Sequence, residues 1–168
     1  MAIPCAVPHL RLISVSDEEM PMTAIEARSL AALLGISPRK AESFTSLDLA
    51  DAVGRGLSVE AVERLSAMIA PDDASLRYRI VPKATLARRQ RAAPRRLSPE
   101  ESDRVARLAQ LWAFALDVWG SPAAAQRFLA EPHPLLGGRV PREVAIASQI
   151  GAWAVEQILG RLKYGTAV

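Results

Sequence analysis

Residues 98–119, SPEESDRVARLAQLWAFALDVW, limit the folds open to this chain more than any other segment. Ser98 suits a helix N-cap, Pro99 suits the first helical position, and Glu101 can close a capping box while favouring the positive end of the helix dipole. Within the helix that follows, Val105, Leu108, Trp112, Leu116 and Trp119 form one apolar stripe. Leu111, Phe114 and Val118 form a second stripe on a neighbouring face. So much apolar circumference is too wide for a helix covered on one side only. The helix is therefore expected at the centre of a core, or packed on its outer side by a second chain; the central position is the simpler expectation.

The rest of the chain supplies helices to surround it. Val, Ile and Thr hardly alternate with polar residues, whereas Ala, Leu, Glu and Arg recur at helical spacing, so the fold class is all-α. Helices are expected at about 22–34, 47–55, 59–69, 72–79, 83–91, 99–119, 122–130 and 142–162, with a short one near 38–44. Ser58 with Glu60, and Ser121 with Pro122, resemble further starts; Gly56, Gly120 and Gly165 resemble stops. Residues 1–20 are interrupted by proline and read as a tail. The segment AAPRRL, ending at Leu97, marks a boundary, which divides the chain into 1–30, 31–97 and 98–168. With 168 residues and 50% hydrophobic content, there is enough apolar surface for a real core.

Several function classes are excluded. Cys5 is the single cysteine, which leaves neither an intrachain disulfide nor a cysteine metal cluster and fits a reducing cytoplasm. The opening MAIPCAVPHL has no basic leader, and the apolar run LWAFALDVW is broken by Asp117, so a soluble, unexported chain without a membrane span is expected. Nothing assembles a catalyst or a cofactor site. His9 lies in the Pro-rich tail and His133 in the loop EPHPLLGG; Pro4 and Pro8 keep Cys5 and His9 from sharing a helix face. Asp72-Asp73 and Glu100-Glu101 stand where helix N-termini favour negative charge. Gly137-Gly138 lacks a phosphate-loop lysine, and no GxGxxG occurs.

One stretch has a strong charge imbalance. RYRIVPKATLARRQRAAPRR, residues 77–96, carries eight Lys or Arg and no acid, in a chain whose net charge is only +3. A local anionic partner such as a phosphate backbone follows from that contrast. Asp72 to Arg79 offers a first helix, Ile80-Val81 a turn, and Pro82 to Arg91 a second helix, the pattern of a helix-turn-helix. Leu86 would face the core, leaving Lys83, Thr85, Arg88, Arg89 and Arg91 to meet groove edges and phosphates. The plain alternative is a solvated basic helix, or one that docks on an acidic protein. A competing unit, SLAALLGISPRKAESF, offers DNA only Arg39 and Lys40 before Glu42.

In the last helix Ile150, Val155, Ile158, Leu159 and Leu162 supply the side expected to be buried. Trp153 falls instead near Gln149, Glu156, Gln157 and Gly160, a polar side, and is a candidate partner anchor. Packing under a neighbouring helix is the other reading.

From about Leu33 onward the chain resembles the Xre/MbcA/ParS antitoxins that are paired with RES-domain toxins. The resemblance rests on an ordered series: LLGI, GLSVEAVERL, TLARRQRA, RLSPEESDRVARLA, the pair Trp119-Gly120, AQRFLAEP, LLGGRVP and VEQILGRLKYG. Phe128 stands where many relatives carry Trp, and RYRIVPKATLARR replaces the more usual Leu-Gly-Ile-Ser type of turn. The family implies an Xre-like helix-turn-helix region followed by a helical toxin-binding domain. It also implies a toxin partner that consumes NAD or transfers ADP-ribose from it, operator DNA as a second partner, and repression of the chain's own operon. A homodimer is expected, because palindromic DNA is read by paired units. With the resemblance in place, the end GRLKYGTAV becomes an expected plug for the toxin's NAD pocket. Trp153, Arg161, Lys163, Tyr164 and Gly165 are the candidate toxin-binding residues: Arg161 or Lys163 would meet an acid, Tyr164 apolar ring space, and the Val168 carboxylate would imitate a phosphate. The alternative from another class is a plain helix-turn-helix regulator whose C-terminal half only dimerises.

Overall fold

The computed structural model describes residues 24–37 and 44–165. Their helices are α1 (Ala24–Leu34), α2 (Ser46–Gly54), α3 (Glu60–Ile69), α4 (Leu76–Ile80), α5 (Lys83–Arg91), α6 (Pro99–Trp119), α7 (Pro122–Ala130), α8 (Pro141–Ala147) and α9 (Gln149–Tyr164), with a 3-10 turn at Pro134–Leu136. No strand occurs among the described residues, only the isolated bridges Ser58–Arg96 and His133–Arg139. The fold is all-α.

α6 is central, as its apolar circumference requires. It packs against α1, α2, α3, α4, α7, α8 and α9. Val105, Leu108, Leu111 and Trp112 are buried, and Leu116, Phe114 and Val118 are half-buried. Each fully buried Leu or Val contributes roughly 1.5–3 kcal/mol, so this helix is the main source of core stability. Its start is the expected capping box: the Glu101 amide donates to Ser98 Oγ at 3.2 Å, and the Ser98 amide donates to Glu101 Oε2 at 2.7 Å. One turn in, fully buried Ser102 accepts from the Leu57 amide at 2.8 Å and so ties α6 to the chain between α2 and α3. Gly120 ends the helix at φ 66°.

Local chemistry explains where other boundaries differ from expectation. The helix expected at 72–79 begins only at Leu76 and runs to Ile80. The Asp73 carboxylate accepts from the Ser75 amide and hydroxyl, which favours a turn over residues 73–75. Val81 then goes extended ahead of Pro82, so the bend sits at Val81-Pro82 rather than Ile80-Val81. Ser58 does not cap α3, whose N-cap Val59 has no side-chain bond; Ser58 is occupied in the bridge to Arg96. Thr45 and Asp48 form a capping box for α2, and Ser121 caps α7 as expected. The expected 38–44 helix lies outside the described residues except for Phe44, which is buried and not helical; the tail, Cys5 and His9 lie outside entirely.

The single helix expected at 142–162 is two. Ser148, extended at φ −161°, separates α8 from α9 and caps α9 by accepting from the Gly151 amide at 2.9 Å. The corner is tight, because a Cβ on buried Gly151 would lie 2.1 Å from the Val144 carbonyl oxygen. Gly151→Ala is therefore expected to force α8 and α9 apart and cost about 1–3 kcal/mol, read as a lower urea midpoint with unchanged slope.

Candidate functional site

Folding divides the basic stretch into two groups of cations. The first is neutralised inside the chain. Arg77 meets Glu63 of α3 at 2.8 Å. Arg79 meets Asp73, and at 2.8 Å Glu143 of α8, while Arg142 reaches Asp73 at 3.3 Å and Glu143 at 3.5 Å. Arg89 lies against Glu101 of the α6 capping box at 3.1 Å. Lys83, Arg88, Arg91, Arg95 and Arg96 form the second group, which has no carboxylate partner among the described residues.

Of the five residues expected to face DNA, Lys83, Arg88 and Arg91 are exposed and lack a carboxylate partner among the described residues, with Lys83 5.7 Å from the Tyr78 ring centroid, and Thr85 is half-buried. Arg89 departs from expectation. It is half-buried and joins α5 to α6, so its guanidinium has a structural partner already. Leu86 is buried as expected and holds α5 onto the core. Arg104 of α6 donates to the Ile80 carbonyl at 2.7 Å and satisfies the last turn of α4. For the competing unit, Gly35 at φ 69° ends α1, and Arg39 and Lys40 lie outside the described residues.

The second surface is the outer side of α9. Ile150, Trp153, Gln157, Arg161 and Tyr164 fall within roughly 80° of arc at 100° per residue, and all are exposed. Trp153 is 57% exposed and Tyr164 71%. Ile150 and Leu162, expected in the core, are 77% and 49% exposed. The buried side of α9 is carried by Ala152, Val155, Ile158 and Leu159, from which Ile150 is turned away at 100° per residue, while Leu162 lies in the exposed last turn. Lys163 turns back onto its own chain: it meets Asp117 of α6 at 2.5 Å and lies near the Phe114 and Tyr164 rings. The hydrogen bond to Asp117 raises the Lys163 pKa. Arg161 has no partner of this kind among the described residues, and Gly165 closes the helix at φ 64°. The Val168 carboxylate lies outside the described residues. His133 accepts from the Leu135 amide at 3.3 Å and caps the 3-10 turn.

Two family models divide this architecture. The antitoxin Xre-like helix-turn-helix domain matches residues 48–110, and the antitoxin Xre/MbcA/ParS C-terminal toxin-binding domain matches residues 114–165. The chain is also 31% identical over 119 residues to Antitoxin Xre of Yersinia enterocolitica, covering 70% of this chain and 79% of that protein. The chain belongs to the Xre/MbcA/ParS antitoxin family.

The antitoxin is non-enzymatic and carries a helix-turn-helix domain and a toxin-binding domain. Each surface lies in a different matched region: α5 in the first, and α9 in the second. The toxin-binding match sets aside the plain regulator whose C-terminal half only dimerises. No helix among the described residues is long and apolar enough to cross a membrane. Sequence reasoning missed the Asp73, Arg79, Arg142 and Glu143 cluster, which joins residues about seventy positions apart and has no local signature.

That cluster gives a pH signature. The Asp73 pKa is lowered, first by the Ser75 hydroxyl and further by the Arg79 and Arg142 guanidiniums. A depressed carboxyl stabilises the fold above its unfolded value of about 3.9, and that contribution is lost as pH falls through the folded value. An NMR titration is expected to place Asp73 below the ordinary aspartate range, and Arg142→Met to move it upward.

Proposed function

We propose that this antitoxin neutralises a RES-domain, NAD-consuming toxin by seating the end of α9 in the toxin's NAD pocket, and that it represses its own operon through α5. The observation that carries the first part is the exposed side of α9, where Trp153 and Ile150 lead along the helix to Arg161 and Tyr164. Large exposed apolar groups on a chain with a toxin-binding domain suit partner anchors. Arg161 would meet an acidic group of the toxin and Tyr164 its apolar ring space. Lys163, tied to Asp117, would hold the tip in place rather than contact the toxin's acid. Charge-assisted bonds desolvated on docking would supply much of the affinity.

The DNA part rests on Lys83, Arg88 and Arg91, the exposed cations of α5, with Thr85 beside them. In this reading residues 31–97 serve the operator, residues 98–168 serve the toxin, and a homodimer matches the two half-sites of a palindrome. The antitoxin would act in the cytoplasm, where NAD and the operon are found.

The test is co-expression with the product of the adjacent open reading frame, reading intracellular NAD and growth. The full chain is expected to restore both, and a chain ending at Gly160 to restore neither while keeping its helical circular dichroism. Full protection by the shortened chain would remove the plug. A neighbour that leaves NAD and growth untouched would remove the RES assignment.

A further inference from the structure

The five cations of the basic stretch without a carboxylate partner among the described residues do not all lie on α5. Arg95 and Arg96 follow it, on a segment that the fold mounts beside residues 56–59. The Leu97 amide donates to the Leu57 carbonyl at 2.9 Å, and the Val59 amide to the Arg95 carbonyl at 3.2 Å. Arg96 Nη1 donates to the Gly56 carbonyl at 2.7 Å. The approach is close enough that a Cβ on Gly56, at φ 90°, would lie 2.4 Å from the Leu97 carbonyl oxygen. This short ladder brings Arg95 and Arg96 next to Arg55, the residue that ends α2, and the three arginines line one groove of about 800 Å³.

We propose that the DNA-binding surface continues from α5 across this ladder, with Arg55, Arg95 and Arg96 gripping the phosphodiester backbone beside the α5 footprint. The inference rests on the reading of α5 as the DNA-facing helix and extends it to residues outside that helix. Charge supports it. Among the described residues the groove holds three guanidiniums and one carboxylate, Asp48, a formal charge of +2. Asp48 is also engaged locally, accepting from the Thr45 amide and hydroxyl in the α2 capping box, with Arg55 close enough to help lower its pKa.

Continuity favours DNA over an acidic protein. Arg95 lies four residues beyond Arg91, a reach of at most about 14 Å, while B-DNA places a backbone charge about every 3.4 Å along each strand. Residues 48–110, matched by the helix-turn-helix domain, include Arg55, all of α5 and the ladder. The positions are also preset. Arg96 is fixed by its bond to Gly56, and the ladder satisfies its own backbone groups, so phosphate contact requires no rearrangement of the segment.

Phosphate grips are recognised by salt dependence, because each releases counterions and contributes about 0.9 to the slope of log K against log salt on duplex DNA. The experiment uses the full chain, titrated by fluorescence anisotropy onto a labelled duplex from upstream of its own coding sequence and onto a random duplex, across a salt series. Arg55→Ala with Arg95→Ala is expected to weaken both duplexes in the same proportion and to reduce the slope by about 1.8. Both residues are exposed, so circular dichroism and thermal midpoint should match the parent. Arg88→Ala with Arg91→Ala serves as the reference. If the reference pair loses affinity while Arg55→Ala with Arg95→Ala keeps both affinity and slope, the extension is overturned and the α5 reading stands. Loss of toxin binding with unchanged DNA binding would also overturn it, assigning the groove to an acidic protein. A parent chain that binds neither duplex would overturn both readings.

Discussion

The burial of α6 is the constraint on which the other elements depend. Its apolar residues occupy so much of the circumference that it needs neighbours on most sides; seven helices pack on it and leave a solvent face at Asp103, Gln110 and Asp117, with Trp119 exposed at its end. The capping box at Ser98 and Glu101 fixes where it starts, and Ser102 fixes it to the backbone between α2 and α3. The matched helix-turn-helix residues end at 110 and the toxin-binding residues begin at 114, both inside this one helix. The two matched regions thus share a rod. The buried side chains of α1 to α9 form a single apolar cluster around it.

Electrostatics then decides what the basic stretch can do. A run of eight cations without an acid looks uniformly available in one dimension. In three dimensions, carboxylates from α3, α6 and α8 and from the turn at Asp73 come within ion-pair distance of Arg77, Arg79 and Arg89. These pairs are partly exposed, so each contributes modestly; their larger effect is to give three cations of the stretch a carboxylate partner within the chain. What remains is a smaller set that points outward from α5 and from the ladder that follows. The segment AAPRRL, which reads as a simple boundary, is fixed in place by backbone bonds to residues 57–59.

At the opposite end, the close approach of Gly151 to the Val144 carbonyl sets the angle at which α9 leaves α8. With that angle set, α9 packs Ala152, Val155, Ile158 and Leu159 inward and leaves Ile150 and Trp153 outside. Lys163, bonded to Asp117, keeps the final turn against α6 and leaves Arg161 and Tyr164 outward. The family resemblance was legible from ordered short segments, and the exposure of Trp153 from helical angle alone. Ile150 shares that arc, although its apolar character suggested burial; what was not legible is the division at Ser148, because the run keeps helical periodicity on both sides.

The sequence by itself determined the all-α class, the central helix with its start and stop, the caps at Ser98 and Ser121, and the order of a helix-turn-helix domain before a toxin-binding domain. These are local properties: spacing of apolar residues, side chains that can reach an amide three residues on, and the density of charge along the chain. Only the tertiary structure decided which cations have a carboxylate partner, that Arg89 pairs with Glu101 and Lys163 with Asp117, and that Arg55 shares a groove with Arg95 and Arg96. Apart from the Arg79–Asp73 pair, those outcomes depend on residues about twelve to seventy positions apart. Side chains at such separations meet only after the helices have packed on α6, and no local pattern records which of them will.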